Sequence, residues 1–297
     1  MKRGILYLVI AIICFSCKQT PEKTHEKPIT DGIAIFEVYL EDSVAVDNFS
    51  NFLRDTLKLP VEWEPFDVFG NKVVYDAAFY LGNTTLELLS VNPPMDDIKE
   101  QAKYNRILFQ SQNLDSTSNT LLEAKIAPQP SFNFNIASGG SELTIGKQTN
   151  LDSLSKKSNV NIAFWQYLNP GYNFKERTTK GNSKEDLRIA LDAAFKSNPM
   201  GIIELKEIHL KISQDALIDW KRFMGLDMDH KWFLSNGPVV SYEASEENIG
   251  VEWITLRVQN LDTAKEFLSQ RNMLSIENDK VSIAQSRVYG LQIYVEE

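Results

Sequence analysis

Gly250-Val251-Glu252-Trp253-Ile254-Thr255-Leu256-Arg257-Val258 runs through Gln259 into Asn260-Leu261-Asp262, and this junction decides how the whole chain is read. The run is rich in β-branched and aromatic residues, which suits a strand. Asn260 then offers a side-chain oxygen to the orphan N–H groups of a helix's first turn. The helix is expected to reach about Gln270, with strands at 281–284 and 291–295.

Outward from this junction the same unit recurs. Asn113-Leu114-Asp115 repeats the Asn-Leu-Asp triplet after a strand at 106–111; a helix to about Ala124 and strands near 132–136, 142–145 and 161–168 follow. Gln214 follows a strand at 203–212 and precedes a helix through Trp220 to Met224, with strands near Trp232 and at 239–243. Asp42 follows a strand at 33–40 and opens a helix at 44–57, in which Val46, Phe49, Phe52 and Leu53 fall at helical spacing. Strands at 73–80 and 84–91 meet at a Gly82-Asn83 turn. A unit this small cannot bury both faces of its own sheet, so the repeats predict an α+β chain of paired modules. The expected bodies are 31–170 and 201–297. Between them, 171–200 is a connector whose helix opens at Ser183 with Asp186, runs through Leu187, Leu191 and Phe195, and stops at Asn198-Pro199.

The N-terminus carries a location signal. Lys2 and Arg3 precede an apolar stretch from Ile5 to Phe15, and Ser16 places a small residue before Cys17. At 1.5 Å per residue this stretch covers roughly half a bilayer core, so it reads as the apolar part of an export signal over 1–16. Ser16-Cys17 resembles the lipobox of bacterial lipoproteins, in which the lipid-bearing Cys17 becomes the first mature residue. Cys14 and Phe15 are bulkier than that pattern, and an ordinary cleaved signal is the alternative. The polar, proline-containing segment 17–30 reads as a tether. The expected setting is a bacterial membrane-anchored lipoprotein, periplasm-facing or on the cell surface. Its membrane partner is reached through the lipid.

Composition narrows the functions. With 31 Lys plus Arg against 40 Asp plus Glu, the formal charge is −9, which argues against a nucleic-acid partner. Three His and two Cys leave no room for a Cys-rich zinc module or a disulfide framework. No nucleophile elbow, Walker loop or dinucleotide fingerprint occurs, and Ser138-Gly139-Gly140-Ser141 reads as a turn.

Paired βαβββ units are the architecture of the vicinal oxygen chelate superfamily of glyoxalases, bleomycin-resistance proteins and extradiol dioxygenases. Phe79-Tyr80-Leu81-Gly82-Asn83-Thr84-Thr85-Leu86-Glu87-Leu88 is similar to the last strand of such a module, with Glu87 in the metal-ligand position. The opening stretch 250–262 is similar to its first strand and helix, and Ser197-Asn198-Pro199-Met200-Gly201-Ile202 resembles the connector of a glyoxalase-like subgroup. The resemblance implies tandem paired modules forming curved mixed sheets, in two glyoxalase-like bodies.

Family enzymes carry a His on a module's first strand, seven residues before the cap. Those places here hold Ile35, Arg106, Glu207 and Trp253. At the last-strand position Glu87 is kept, while Gln166 and Tyr294 occupy the corresponding places of the second and fourth units. The usual metal centre therefore reads as lost, and no cofactor is expected. The candidate ligand-binding residues are Glu87, Arg106, Gln166, Glu207, His209, Trp253 and Tyr294, facing a small organic ligand on a concave sheet. Glu87 and Arg106 are equally suited to neutralising each other. Glu207 and His209, two apart on a strand, point the same way; the favoured reading is an exposed strand face shared with Lys211. Trp165, Tyr167, Trp253 and Tyr294 suit a cavity wall or a core. The alternative function is a metal-dependent lyase, isomerase or dioxygenase using Glu87, or Glu207 with His209 and a loop-borne His230, as an unusual ligand set. A scaffold meeting protein partners is a third.

Overall fold

The computed structural model describes residues 27–68, 73–92, 102–138, 141–168 and 184–297. The export signal, Cys17, most of the tether, Gly139-Gly140 and Ser183 lie outside them.

The first module is β1 (Ile33–Leu40), α1 (Ser43–Asn51), β2 (Val61–Asp67), β3 (Val74–Tyr80) and β4 (Thr85–Val91). Asp42 caps α1, accepting from the Ala45 N–H at 2.8 Å, and a π-helical turn at Phe52–Thr56 extends the helix. The second module is β5 (Ala102–Gln110), α2 (Leu114–Glu123), β6 (Phe132–Ser138), β7 (Ser141–Asn150), α3 (Asp152–Ser158) and β8 (Asn161–Tyr167). Their strands form one eight-stranded sheet in the order β2-β3-β4-β1-β5-β8-β7-β6. Within each module the first strand lies parallel to the last, and β1 and β5 pair antiparallel at the junction.

After α4 (Lys184–Phe195) the plan repeats. The third module is β9 (Ile202–Ile212), α5 (Gln214–Met224), β10 (Lys231–Phe233) and β11 (Val239–Ala244). The fourth is β12 (Gly250–Val258), α6 (Leu261–Gln270), β13 (Leu274–Glu277), β14 (Lys280–Ile283) and β15 (Ile293–Glu296). The second sheet is seven-stranded, β10-β11-β9-β12-β15-β14-β13, again joined by an antiparallel pair of first strands. The result is the α+β arrangement of βαβββ-type modules in two curved sheets, with the third module one strand short.

Three elements differ from the sequence expectation. β2 contains Pro65, a residue that argues against a strand; it is tolerated because β2 is the edge of its sheet. α3 buries only Leu154 and Ser158, too little for a periodic signal. β13 has four residues and is held by its pairing with β14. The cap of α5 is Ser213 rather than Gln214: its shorter side chain accepts from Ala216 N–H at 3.2 Å, and Gln214 is already helical.

One face of each sheet carries the helices, and these faces share a continuous apolar core. Trp220 and Phe223 of α5 bridge the halves, packing on Phe109 of β5 at 6.2 and 4.8 Å between ring centroids. Asn83 and Leu205 exchange two hydrogen bonds, and Tyr104 donates to the Gln292 carbonyl at 2.7 Å. Asn198, which ends the connector, accepts from Met200 N–H and donates to the Leu57 carbonyl. An apolar cavity of about 20 Å³ lies in this core beside Val38, Leu86, Ile254 and Ile293. With no polar side chain turned into it to hold water, it is a packing void. The other face of each sheet is free of helices and carries the candidate site residues except Gln166, which alternates with Trp165 and Tyr167 and turns to the start of α2.

Candidate functional site

Register aligns the helix-free face of the second sheet into rows. Lys231, Ser241, His209 and Trp253 are successive cross-strand partners; Phe233, Val239, Glu207, Thr255, Tyr294 and Ser282 form the next row. A bulge in β12 between Val251 and Trp253 brings Trp253 opposite His209. Their rings stack with centroids 3.5 Å apart and planes 7° from parallel. Tyr294 meets Trp253 edge-on at 5.9 Å, and the Lys280 ammonium lies 5.3 Å from the Trp253 centroid and 4.9 Å from that of Tyr294.

Beneath this aromatic group runs a polar chain. The Ser241 hydroxyl donates to Glu207 Oε1, so its oxygen is left to accept from His209 Nδ1 at 2.8 Å. Glu207 is also 3.5 Å from Lys231 Nζ. Burial, and then the charges of Lys280, Lys231 and Lys211, push the His209 imidazole down to about 4, so it is neutral near pH 7. Neutral His209 with its proton on Nδ1 presents a bare Nε2 lone pair. That atom is buried without a hydrogen-bond partner, 4.0 Å from a Glu252 carboxylate oxygen. The expected exposed strand face is corrected here: His209 is 8% exposed, covered by the Trp253 ring, while Lys211 sits outward with Glu247 and Glu252. His230 does not approach His209; its ring packs on Tyr242, which belongs to the helix-bearing core.

The first sheet places its candidates differently. Glu37, at the centre of β1, is 1% exposed and lies in register with Glu87 on β4 and Arg106 on β5. Arg106 pairs with Glu37 at 3.4 Å, and Asn105 donates to the other Glu37 oxygen. Of the two readings of Glu87 and Arg106, mutual neutralisation gives way to a Glu37–Arg106 ion pair, with Arg106 still lowering Glu87 through its charge. Glu87 hydrogen-bonds instead with the Asp76 carboxyl of β3, and burial followed by the charges of Asp76 and Glu37 raises it well above the usual carboxylate range. Burial likewise pushes Asp76 up to about 7. Gln166 is apart from both groups, its Oε1 accepting from Leu114 N–H at the start of α2. Trp165 lies in a small apolar cluster with Ile35 and Ala163, against which Tyr167 packs.

The structure therefore gathers Glu207, His209, Trp253 and Tyr294 on one sheet, puts Glu87 and Arg106 on the other, and leaves Gln166 as a helix cap. Sequence reasoning missed Glu37 and Asp76, although a charge amid the apolar runs of β1 and β3 was a readable signal. Ser241, Glu252 and Lys280 had no such signal.

The donors at the metal-ligand positions do not fit a metal ion. Ile35 and Trp253 offer no lone pair, Arg106 adds a cation, His209 Nδ1 is bonded to Ser241, and three lysines surround the imidazole. Among the described residues no group of three His, Cys, Asp or Glu side chains is placed to hold one.

No protein-family model and no curated protein sequence matches the chain. Solved structures do. The 2,3-dioxygenase LapB from Pseudomonas sp. KL28 superposes with a TM-score of 0.55 at 11% identity, covering 91% of this chain and 93% of the other. A hypothetical protein from Staphylococcus aureus gives 0.57 at 12% identity, over 89% and 98%. Homoprotocatechuate 2,3-dioxygenase from Arthrobacter globiformis gives 0.55 at 9%, over 93% and 83%. Identities this low establish the fold, which this chain shares with the 2,3-dioxygenases, and nothing of the chemistry.

Proposed function

We propose that this chain is an exported, lipid-anchored, glyoxalase-like protein that binds a small organic ligand on the concave, helix-free face of its second sheet. Lys2, Arg3, the apolar stretch to Phe15 and Ser16-Cys17 support the anchor, in a bacterial membrane and facing the periplasm or the cell exterior. Among the described residues no helix is long and apolar enough to cross a membrane.

One observation carries the binding reading: Trp253 is held between the His209 ring and the Tyr294 edge, with the Lys280 ammonium beside both aromatics. Fixed rings with an adjacent cation suit a flat organic anion, whose ring contacts Tyr294 and Trp253 while its carboxylate meets Lys280. The buried Nε2 of His209 is an acceptor for a ligand hydroxyl once Glu252 turns aside. The metal-dependent lyase, isomerase or dioxygenase alternative shares the fold of the 2,3-dioxygenases, but the donor set gives it no support.

Thermal unfolding with benzoate, salicylate and phenylacetate tests the reading, since a ligand bound only by the folded state raises Tm. At least one should raise the wild-type Tm, with the shift lost in Lys280→Ala and Trp253→Leu. Equal shifts in wild type and both variants, or none in any, would remove the second sheet as the site.

A further inference from the structure

We infer that the turn between α5 and β10, carrying Leu226 and Met228, seats on the lipid surface to which the N-terminus is attached. This rests on the lipid-anchor reading and adds a second contact to it.

The starting observation is where the chain enters the fold. Ile29 packs on the core, and its N–H donates to the Phe223 carbonyl in the last turn of α5 at 3.1 Å. Three residues beyond Phe223 the chain turns outward at Leu226. Leu226 is 63% exposed and Met228 69% exposed, the two largest values among the described large apolar side chains. The point where the tether joins and the most exposed apolar pair are thus neighbours.

The turn is held in place. Gly225 ends α5 at φ +78°, a conformation open to glycine, and its carbonyl accepts from Trp232 Nε1 at 3.2 Å. Met228 and Lys231 exchange backbone hydrogen bonds of 2.9 and 3.0 Å. Asp227, between Leu226 and Met228, is bonded to the Tyr242 hydroxyl at 2.8 Å and to Lys221 at 3.1 Å, while Asp229, directly after Met228, is exposed. A turn fixed this way loses little conformational freedom on docking.

Reach and charge agree with a lipid partner. The polar stretch from Lys18 to Glu26 spans at most about 30 Å when extended, so a body tied at Ile29 can bring Leu226 to the surface. The whole chain has a formal charge of −9 and loses Lys2 and Arg3 with the signal, so the anchored body is more negative still. It gains no general attraction from anionic lipid and has to make contact by apolar insertion. Two side chains that insert while the anchor holds the body close act at high effective concentration.

The test uses the full-length lipidated chain with a single fluorophore-labelled cysteine at Leu226→Cys or Met228→Cys. Ile276→Cys, also exposed, is the control on β13 at the far edge of the second sheet. Each protein is reconstituted in vesicles of phosphatidylethanolamine and phosphatidylglycerol containing a nitroxide-labelled lipid, and mass spectrometry reads the state of Cys17. With Cys17 lipidated, quenching should be several-fold stronger at 226 and 228 than at 276. Lipidated protein with equal, weak quenching at all three positions overturns the docking surface and leaves the anchor reading intact. An unmodified Cys17 in protein that does not bind vesicles overturns both. A probe at 228 already shielded from water in the Cys17→Ser protein without vesicles places a second copy of the chain on the turn, and overturns the lipid contact.

Discussion

Replacing Asp76 by Asn probes the buried carboxyl cluster of the first sheet. Asp76 is 7% exposed, one of its oxygens has no hydrogen-bond partner, and burial pushes its carboxyl up to about 7. In the unfolded chain an aspartate ionises near 3.9, roughly three pH units lower. Between those values the folded protein keeps a proton that the unfolded chain releases. The contribution is therefore whole below about pH 4, is lost as pH rises towards 7, and stays lost above it. At about 1.4 kcal/mol per unit the loss has a ceiling of about 4 kcal/mol. Asparagine keeps the shape of the neutral acid and does not titrate. The variant should match the wild type near pH 4 and exceed it by about 2–4 kcal/mol near pH 8. Urea unfolding of both proteins across that range gives the difference directly, with most contributions from distant titrating groups cancelling. A variant-minus-wild-type difference that does not change with pH would refute the reasoning, as would a wild type more stable near pH 8. Either result would mean that Asp76 is ionised and well partnered inside the fold.

Trp220→Ala should lose about 3–5 kcal/mol by urea unfolding, because a fully buried indole bonded to Ser158 is removed from the junction of the two halves; a loss under about 1 kcal/mol would contradict that packing. Gly82→Ala should lower Tm, since Gly82 sits at φ +81° and a Cβ there would lie 2.1 Å from the Ile203 carbonyl oxygen; an unchanged Tm would show that this approach is not close. Nitrogen-detected NMR should find His209 neutral and protonated on Nδ1 near pH 7, with no titration until about pH 4; a titration near its ordinary value of about 6.5 would mean that the ring is not buried under Trp253. Because its folded value is depressed, His209 contributes stability present above about 6.5 and lost as pH falls towards 4.

Legibility followed the kind of signal each element carries. Asn113 and Asn260 were readable as caps because capping is local chemistry, and both bond the N–H three residues on, at 3.0 and 2.8 Å. β2 was hidden because Pro65 contradicts a strand unless the strand is an edge, and edge position is a property of the sheet. Within the site, Glu207 and His209 were placed on one face by strand alternation alone. Ser241, which joins them, is 32 residues from His209 in sequence and becomes its neighbour only through the β9–β11 pairing.

Local pattern in the chain was sufficient for the repeated strand–helix–strand unit and its grouping into two sheets, because capping, periodicity and turn chemistry act over a few residues. That Ile35, Arg106, Glu207 and Trp253 stand where histidine is expected came from the family resemblance and not from local pattern. Three-dimensional packing decided what those positions do instead. The β12 bulge lays Trp253 over His209, register brings Glu37 beside Glu87, and burial raises the Glu87 and Asp76 carboxyls above the usual carboxylate range and leaves His209 a neutral ring. Solvent exclusion and cross-strand register depend on every strand of a sheet at once, and a short stretch of residues does not encode them.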